Sequence, residues 1–386
     1  MPDFQDDDAL LGAIIARSNR LSGAGVAKPT AIAKKRPKAP PSARPKQAAA
    51  RAPLLPFVAP QKRRASKSQS GLTSVEVCAG AGGQALGLEE AGFDHQALVE
   101  LDPNCCATLR ANRPQWNVIQ ADLREFSGKA FRGADLLAGG LPCPPFSVAG
   151  KQLGDQDERN LFPAALRLVD EIRPRAVMIE NVRGFLAPVF EQYREKLRKK
   201  FKSLGYVADW RLLNAADFGV SQLRPRVVIV ALPTEAASEF RWPSAQSEQP
   251  PMVGDLLHDL MSVRGWRGAP AWRKRAHGIA PTIVGGSLKH GGPDLGPTRA
   301  RRAWAQLGVD GIGIANDAPE RDFQGMPRLT TRMVARIQGF PDQWAFTGKK
   351  TAAYRQVGNA FPPPVASAVA QCIAEALATR RSYKVA

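Results

Sequence analysis

Residues 75–88 read VEVCAGAGGQALGL, and this stretch guides the interpretation of the whole chain. Apolar residues predict a short strand ending at Cys78, and three glycines then precede a second apolar run that predicts a helix. Glycines let a ligand approach the backbone, and a helix N-terminus offers N–H groups without a helical partner. The stretch therefore predicts either a ligand-binding turn between strand and helix or a tight structural turn.

The spacing of the glycines bears on the kind of ligand. It differs from the GxGxxG pattern that holds the pyrophosphate of a dinucleotide. The next two predicted strands each end in an acid, Glu100 and then Asp122. A carboxylate after the second strand suits ribose hydroxyls, and one after the third can accept a hydrogen bond from the adenine amine. An adenosine ligand without pyrophosphate is favoured, and S-adenosyl-L-methionine fits that description.

Strand, turn and helix alternate along residues 73–232. We predict strands over 75–78, 96–100, 118–121, 134–137, 176–179 and 226–232, and helices between them, for example over 161–172 and 189–204. Further helices are predicted over 331–338 and 364–380. This alternation predicts an α/β fold with a doubly wound, mostly parallel, Rossmann-like sheet. Gly139 and Gly140 are expected to form a turn after the fourth strand.

Cys143 lies between Pro142 and Pro144, beyond that fourth strand. A free cysteine is usually a small buried apolar residue. Prolines, however, fix φ and remove backbone donors, which immobilises a loop more than packing alone requires. The carboxyl edge of an open α/β sheet is also where ligands bind. Cys143 is therefore a candidate thiolate nucleophile, with core packing as the alternative.

The charge of the chain indicates a polyanionic partner, and nucleic acid is the leading candidate. The 386 residues carry a net charge of +19, with a sequence pI of about 10.1. Five irregularly spaced cysteines predict neither a disulfide framework nor a zinc site. No apolar run reaches the roughly 18 residues of a membrane span. We expect a soluble protein without a metal, in the bacterial cytoplasm and associated with the nucleoid.

Composition divides the chain into four parts. Residues 1–70 hold fourteen Lys and Arg against four Asp, which predicts a basic, largely disordered tail with a short docking helix within 8–21. The tail either attracts phosphate or is only a solvated segment. Residues 71–232 are the predicted catalytic and cofactor-binding domain. Residues 233–327 predict a smaller irregular domain, and residues 328–386 predict helices that return to the catalytic domain.

Five further motifs follow along the chain. They are ENV at 180–182, QLRPR at 222–226, RLTTR at 328–332, QGFPD at 338–342 and QVGNA at 356–360. Together with the glycine-rich turn and the Pro-Cys loop, they closely resemble the DNA (cytosine-5)-methyltransferases of bacterial modification systems, over residues 73–377. The resemblance implies transfer of a methyl group from S-adenosyl-L-methionine to C5 of a cytosine in a specific double-stranded DNA sequence.

The resemblance also implies roles for named residues. Cys143 would add to C6 of the cytosine, and Glu180 would bind its N3/N4 edge and deliver a proton to N3. Arg226, with Arg224 behind it, would bind O2 or position the loop. Because C6 is inaccessible within a duplex, the base must be flipped out. The predicted cofactor-binding residues are Cys78, Ala79, Gly80, Gly82, Gly83, Glu100, Leu101, Asp122, Leu123, Pro142, Asn359 and Ala360.

Four positions depart from the usual family pattern. Cys78 replaces an aromatic residue on the adenine side, and the acid that opens the first motif is Glu76 rather than Asp. Leu101 stands where a tryptophan often flanks the ribose-binding acid, and Pro144 replaces the glutamine that commonly follows the nucleophile. The first three positions concern cofactor contacts, and Pro144 concerns how the site is filled after base flipping.

The resemblance implies that the irregular domain, residues 233–327, is a target-recognition domain that reads the DNA sequence. The DNA partner is expected to contact its basic clusters and the loop after Cys143. Arginine binds guanine bidentately in the major groove, although phosphate contact is its commoner role. The predicted DNA-binding residues are Ser147, Lys151, Arg273, Lys274, Arg275, Lys289, His290, Arg299, Arg301 and Arg302. We expect a monomer, with a restriction endonuclease acting on the same site. The alternatives are an RNA cytosine-5 methyltransferase and a catalytically silent DNA-binding regulator.

Overall fold

The structure is a computed structural model that describes residues 71–142, 160–285 and 293–383, with side chains through residue 378. A seven-stranded sheet organises the described residues, in the order β3-β2-β1-β4-β5-β7-β6. Its strands are β1 (Leu72–Val77), β2 (Phe93–Glu100), β3 (Val118–Gln120), β4 (Leu136–Gly140), β5 (Ala176–Val182), β6 (Tyr206–Asn214) and β7 (Pro225–Pro233). Neighbouring strands are parallel, except that β7 is antiparallel to both β5 and β6.

The strands are connected and covered by helices. In chain order these are α1 (Gly83–Glu90), α2 (Pro103–Asn112), α3 (Phe162–Ile172), α4 (Glu191–Ser203), α5 (Thr234–Ala237), α6 (Val253–Ser262), α7 (Ala269–Arg275), α8 (Thr298–Gln306), α9 (Thr331–Ile337), α10 (Lys350–Asn359) and α11 (Pro363–Tyr383). Within the residues described here, none of these helices is long and apolar enough to cross a membrane.

Both faces of the sheet are buried. Val75 and Val77 of β1 belong to one core cluster with Leu168 of α3. Leu72, on the opposite face of the same strand, belongs to another with Val369 of α11. Side chains alternate along a strand, and burying each such valine or leucine stabilises the fold by roughly 1.5–3 kcal/mol. The predicted doubly wound, mostly parallel sheet is confirmed.

One local prediction was wrong, and one strand was missed. Gly139 and Gly140 lie within β4 rather than in a turn, and a Cβ atom on Gly139 would come within 2.8 Å of Val77 Cγ2. Glycine is therefore needed there for close packing of strands. β6 was not predicted, because it is an edge strand whose exposed Val207 and Leu212 break the apolar pattern of the other strands.

The segment predicted to be irregular, residues 233–327, contains four helices within its described part, α5 to α8. Trp272 and Trp304 are buried there, in one core cluster with Met333 of α9. The described residues, from 71 to 383, belong to one compact unit. The domain boundaries within it stay a prediction. The basic tail, with the helix predicted within 8–21, lies outside the described residues.

We expect Gly87→Ala to destabilise the protein by about 1–3 kcal/mol, as overpacking does. Helix α1 packs so closely on the start of α11 that a Cβ atom on Gly87 would lie 2.5 Å from the Pro363 carbonyl oxygen and 2.6 Å from Ala366 Cβ. Gly313→Ala is the matched control, since its Cβ would come no nearer than 3.5 Å to another atom. Urea unfolding measures the stability of both variants. Equal unfolding midpoints for Gly87→Ala and Gly313→Ala would contradict the packing argument.

Candidate active site

The order of the strands places a crevice at one edge of the sheet. Connections run in opposite directions from β1 and β4, which are neighbours. In open α/β sheets, ligands bind at such a switch point, outside the carboxyl ends of the strands. The glycine-rich turn follows β1 and Pro142 follows β4, so both predicted motifs begin at this edge.

The glycine-rich turn has a strained and tightly packed backbone. Cys78 adopts a φ of 51°, in the left-handed region that few residues other than glycine occupy. A Cβ atom on Gly82 would lie 2.8 Å from Leu109 Cδ2 and 2.9 Å from the Trp344 ring, whereas one on Gly80 would meet nothing within 4 Å. The turn is therefore packed against the protein at Gly82 and open at Gly80.

Glu100 ties this turn to the end of β2. Its Oε2 accepts a hydrogen bond from the Gly80 N–H at 2.7 Å, and its Oε1 accepts from the N–H groups of Leu101 and Asp102, each at 2.8 Å. Leu101 itself is 59% exposed. The carboxylate is thus held in place at the crevice by the backbone on both sides.

The end of β3 carries the next predicted residues, Asp122 and Leu123. Asp122 is paired with Arg124 (Oδ2 to Nη2, 2.5 Å), and the hydrogen bonds from Arg124 lower the pKa of Asp122 to about 2. Leu123 is buried in the core, and its carbonyl accepts from Arg167 Nη2 at 3.0 Å. Asp122 offers a charged group at the edge, while the side chain of Leu123 faces the core.

Glu180 and Arg226 form a buried ion pair at the end of β5. Arg226 Nε lies 2.8 Å from Glu180 Oε1, and the two side chains are 14% and 7% exposed. Burial raises the pKa of Glu180, and the charge of Arg226 opposes that rise. Gly140 lies opposite Glu180 in the neighbouring strand, where a Cβ atom would be 3.6 Å from Glu180 Oε2. Glycine thus leaves space beside the carboxyl group.

Arg224 is buried and engaged by the backbone. Its guanidinium donates to the carbonyl oxygens of Ile283 (2.5 Å), Gly358 (2.8 Å) and Ala360 (3.0 Å). Through these contacts Arg224 joins three backbone carbonyl groups from two segments of the chain. Asn359 is exposed and Ala360 is buried, and the Ala360 Cβ would lie 3.1 Å from a Cβ atom on Gly83.

Five predicted site residues lie outside the described residues: Cys143, Ser147, Lys151, Lys289 and His290. Among the described DNA-binding candidates, Arg273 pairs with Asp255 at 2.7 Å, and Arg275 donates to the Ala305 carbonyl at 2.9 Å. Both therefore have partners within the protein. The remaining candidates lie on the partly or fully exposed surface of α7 and α8: Lys274, Arg299, Arg301 and Arg302.

Sequence reasoning missed some residues that shape the site. Trp344 packs on Gly82 and donates from its Nε1 to the Ala81 carbonyl at 3.1 Å. Gln222 and Gln338 were noted only as parts of motifs, yet their side chains are hydrogen-bonded to each other at 2.6 Å. Nothing local marks Trp344. The neighbours of the two glutamines in the sequence give no sign that their side chains meet.

We expect Arg226→Met to destabilise the protein by about 3–5 kcal/mol, because it leaves Glu180 buried without its partner. The double variant Glu180→Gln with Arg226→Met should regain most of that loss. Without the arginine, the folded-state pKa of Glu180 rises further, so the folded state holds a proton that the unfolded state has released. The loss should therefore grow as pH increases above the ordinary glutamate pKa. Urea unfolding at several pH values measures this loss of stability. A loss that does not depend on pH would contradict the argument that Glu180 is left buried without its partner.

Comparison with known proteins agrees with this geometry. Residues 72–375 match the family described as C-5 cytosine-specific DNA methylase. The chain is 58% identical over 310 residues to Type II methyltransferase M.NgoMIV of Neisseria gonorrhoeae, which covers 79% of this chain and 98% of that protein. It is 55% identical over 312 residues to Type II methyltransferase M.NaeI of Lentzea aerocolonigenes, covering 79% of this chain and 75% of that protein.

The fold resembles a solved structure of lower identity. The S. pombe Dnmt2 methyltransferase has a TM-score of 0.53 and 17% identity, covering 79% of this chain and 99% of that one. At this identity the likeness concerns the fold. The family match spans most of the chain and includes every strand of the sheet, the glycine-rich turn and the Glu180–Arg226 pair. This chain therefore belongs to the C-5 cytosine-specific DNA methylase family.

Proposed function

We propose that this protein transfers a methyl group from S-adenosyl-L-methionine to C5 of a cytosine in a specific double-stranded DNA sequence, using Cys143 as nucleophile. The observation that carries the proposal is the buried Glu180–Arg226 pair at 2.8 Å. It lies at the end of β5, beside the strand that leads to Cys143. Family membership supports the reaction class, and the residues at this edge supply the groups that it requires.

The residues of the crevice fit S-adenosyl-L-methionine. Gly80 leaves open space at the turn, and Glu100 and Asp122 offer carboxylates for ribose and adenine. Within the described residues, Glu76 Oε2 and both amide atoms of Gln84 are buried without a hydrogen-bond partner. Buried polar atoms normally have partners, so these atoms remain available to a polar ligand or water. When bound, S-adenosyl-L-methionine supplies an electrophilic methyl carbon that is attached to a positively charged sulfur.

The chemistry assigned to the protein begins with Cys143. C5 of cytosine is a weak nucleophile, so the Cys143 thiolate first forms a bond to C6, and the electron pair of the C5–C6 double bond becomes available at C5. C5 would then attack the methyl carbon of S-adenosyl-L-methionine, and the bond from that carbon to sulfur would break, so that S-adenosylhomocysteine leaves with the electron pair. Loss of the C5 proton to a base and expulsion of the thiolate restore the double bond. The target base must leave the duplex for this, because C6 is inaccessible in the stack.

Glu180 and Arg226 assist the addition. Burial raises the pKa of Glu180, which favours a carboxyl group that can donate a proton to N3 and offset the charge that develops there. The proton required at N3 and the acceptor required by the exocyclic N4 amine can both be supplied by one carboxyl group. Arg226 fixes the orientation of this carboxyl group through its Nε and is a candidate ligand for O2.

Charge favours duplex DNA as the substrate. The chain carries +19, and basic side chains cluster on α7 and α8, in the segment inserted between β7 and α9. Lys and Arg that neutralise phosphates supply most of the sequence-independent affinity for DNA. Glu180 and Arg226 are both present and paired, which argues against a catalytically silent regulator. An RNA substrate is the remaining alternative. Methyl-transfer assays on duplex DNA and on RNA distinguish the two.

The likeness to Type II methyltransferases extends the proposal to biological role. Methylation of the protein's own recognition sequence would protect host DNA from a restriction endonuclease that cuts the same site. The two enzymes would then share a DNA sequence and need not touch each other. We propose that the protein acts as a monomer in the bacterial cytoplasm.

The proposal is tested by methylating a random plasmid library and mapping 5-methylcytosine. We expect methylation at one short sequence, and we expect Cys143→Ala to abolish it while DNA binding survives, since the thiol contributes little to duplex affinity. Cys372→Ala is the control, because Cys372 lies on α11 and should leave transfer unchanged. If Cys143→Ala keeps a tenth of wild-type turnover, the assignment is wrong. 5-Fluorocytosine at the target should trap a covalent complex, as fluorine cannot leave as a proton does.

Glu100→Gln and Asp122→Asn should weaken cofactor binding rather than the chemical step. Losing a hydrogen bond to a charged group costs about 1.5–3 kcal/mol, or roughly 10- to 100-fold in Kd. Calorimetry with S-adenosylhomocysteine measures the change. Asp94→Asn is the matched control, since Asp94 is exposed at the opposite end of β2. Unchanged affinity in both variants would show that the strand-end acids do not bind the cofactor.

A further inference from the structure

Two buried glutamines connect distant backbone segments through an unbroken series of hydrogen bonds. The Ile283 N–H donates to Gln222 Oε1 at 2.9 Å, and Gln222 Nε2 donates to Gln338 Oε1 at 2.6 Å. Gln338 Nε2 then donates to the Ala360 carbonyl oxygen at 2.6 Å. Both glutamines are fully buried. We call this series the amide relay.

The relay allows only one orientation of each amide. A backbone N–H can only donate, so the oxygen of Gln222 must face Ile283. A backbone carbonyl can only accept, so the nitrogen of Gln338 must face Ala360. The middle bond then joins the remaining donor of Gln222 to the remaining acceptor of Gln338. No apolar or charged side chain can make the same series.

Arg224 reinforces both ends of the relay. It donates to the carbonyl oxygen of Ile283 and to those of Gly358 and Ala360. Ile283 is therefore held at both its N–H and its carbonyl group. The Ala360 carbonyl receives two donors, from Gln338 and Arg224. In a buried environment these bonds are costly to break, because each would leave a polar group unsatisfied.

The segments at the two ends of the relay also touch directly. A Cβ atom on Gly358 would lie 2.5 Å from the Gly285 Cα and nitrogen, so the two backbones cross in contact. On the other side, a Cβ atom on Gly83 would lie 2.3 Å from the Phe361 carbonyl oxygen. The glycine-rich turn, residues 358–361 and residues 283–285 thus form one continuous packed series.

The two ends have different assignments in the proposed function. Gly83, Asn359 and Ala360 are assigned to the cofactor. Val284 lies beside the start of α8, since a Cβ atom on Gly296 would be 3.4 Å from Val284 Cγ2 and 3.2 Å from Ala300 Cβ. Helix α8 carries Arg299, Arg301 and Arg302, which are assigned to DNA. A relay between these segments would fix the distance between the two binding sites.

We infer that Gln222 and Gln338 are positioning residues that couple cofactor binding to DNA binding. The inference rests on the proposed function. Each ligand favours the spacing that the amide relay maintains, so each should tighten the binding of the other by the same factor. When the relay is broken, either segment can move without the other, and this mutual effect is lost.

The test measures the Kd of S-adenosylhomocysteine by calorimetry, with and without a duplex carrying the mapped methylation site. In the wild-type protein the duplex should tighten binding about 5- to 150-fold, the usual range of coupling between sites. Gln338→Met, which keeps a similar volume but breaks both bonds, should reduce this factor to near one. The Kd without DNA should change much less.

Gln356→Met is the matched control. Gln356 is also buried, its Oε1 accepts from Thr108 Oγ1 at 2.6 Å and its Nε2 donates to the Thr347 carbonyl at 2.9 Å. The variant should lose comparable stability yet keep the coupling factor. If Gln338→Met does not fold, Gln222→Glu replaces it, since this change retains the acceptor for Ile283 and removes the donor to Gln338.

The outcomes separate the inference from the proposed function. A coupling factor of one in the wild-type protein, an unchanged factor in the relay variants, or an equal loss in Gln356→Met would each overturn the inference. Failure of the wild-type protein to methylate the library or to bind S-adenosylhomocysteine would instead overturn the proposed function. Methylation together with a selective loss of coupling supports both.

Discussion

The parallel arrangement of β1 to β5 is the constraint on which the site depends. Because parallel strands end at the same edge, this edge carries the turn after β1, Glu100 at the end of β2, Asp122 after β3, Pro142 after β4 and Glu180 near the end of β5. These residues are far apart in the sequence, and they come to the same edge only because their strands are neighbours in the sheet. β7, the antiparallel strand, then supplies Arg226 from the opposite direction, so that its first residues meet the last residues of β5.

Burial gives charged groups different roles at this edge. Asp122 and Arg124 form an exposed pair, which water and salt screen, so this pair contributes little to stability. Glu180 and Arg226 are desolvated, so each needs the other, and the carboxyl group is shifted toward its protonated form. An acid poised in this way costs the fold some stability. It provides a proton donor where the proposed reaction develops charge.

Glycine makes possible the close approaches that hold the cofactor side together. Gly83 and Gly87 let α1 lie against the segment that begins α11, and Gly358, near the end of α10, lets the backbone there cross Gly285 in close contact. Arg224, Gln222 and Gln338 then satisfy the backbone groups that this crossing buries. Small residues and buried polar side chains thus serve one purpose: they join segments that carry different ligands in the proposed function.

The sequence by itself determined the α/β class, six of the seven strands and the main helices, because apolar periodicity and glycine turns are local signals. It also placed Glu100, Asp122 and Glu180 at strand ends. It did not reveal the edge strand β6, whose exposed side chains follow no buried pattern, nor the place of Gly139 within β4. Only the tertiary structure decided that Arg226 pairs with Glu180, that Arg224 binds carbonyl groups and that Gln222 meets Gln338. These contacts join residues far apart in the chain, and their partners are chosen by packing and by the need to satisfy buried polar groups, which no local pattern records.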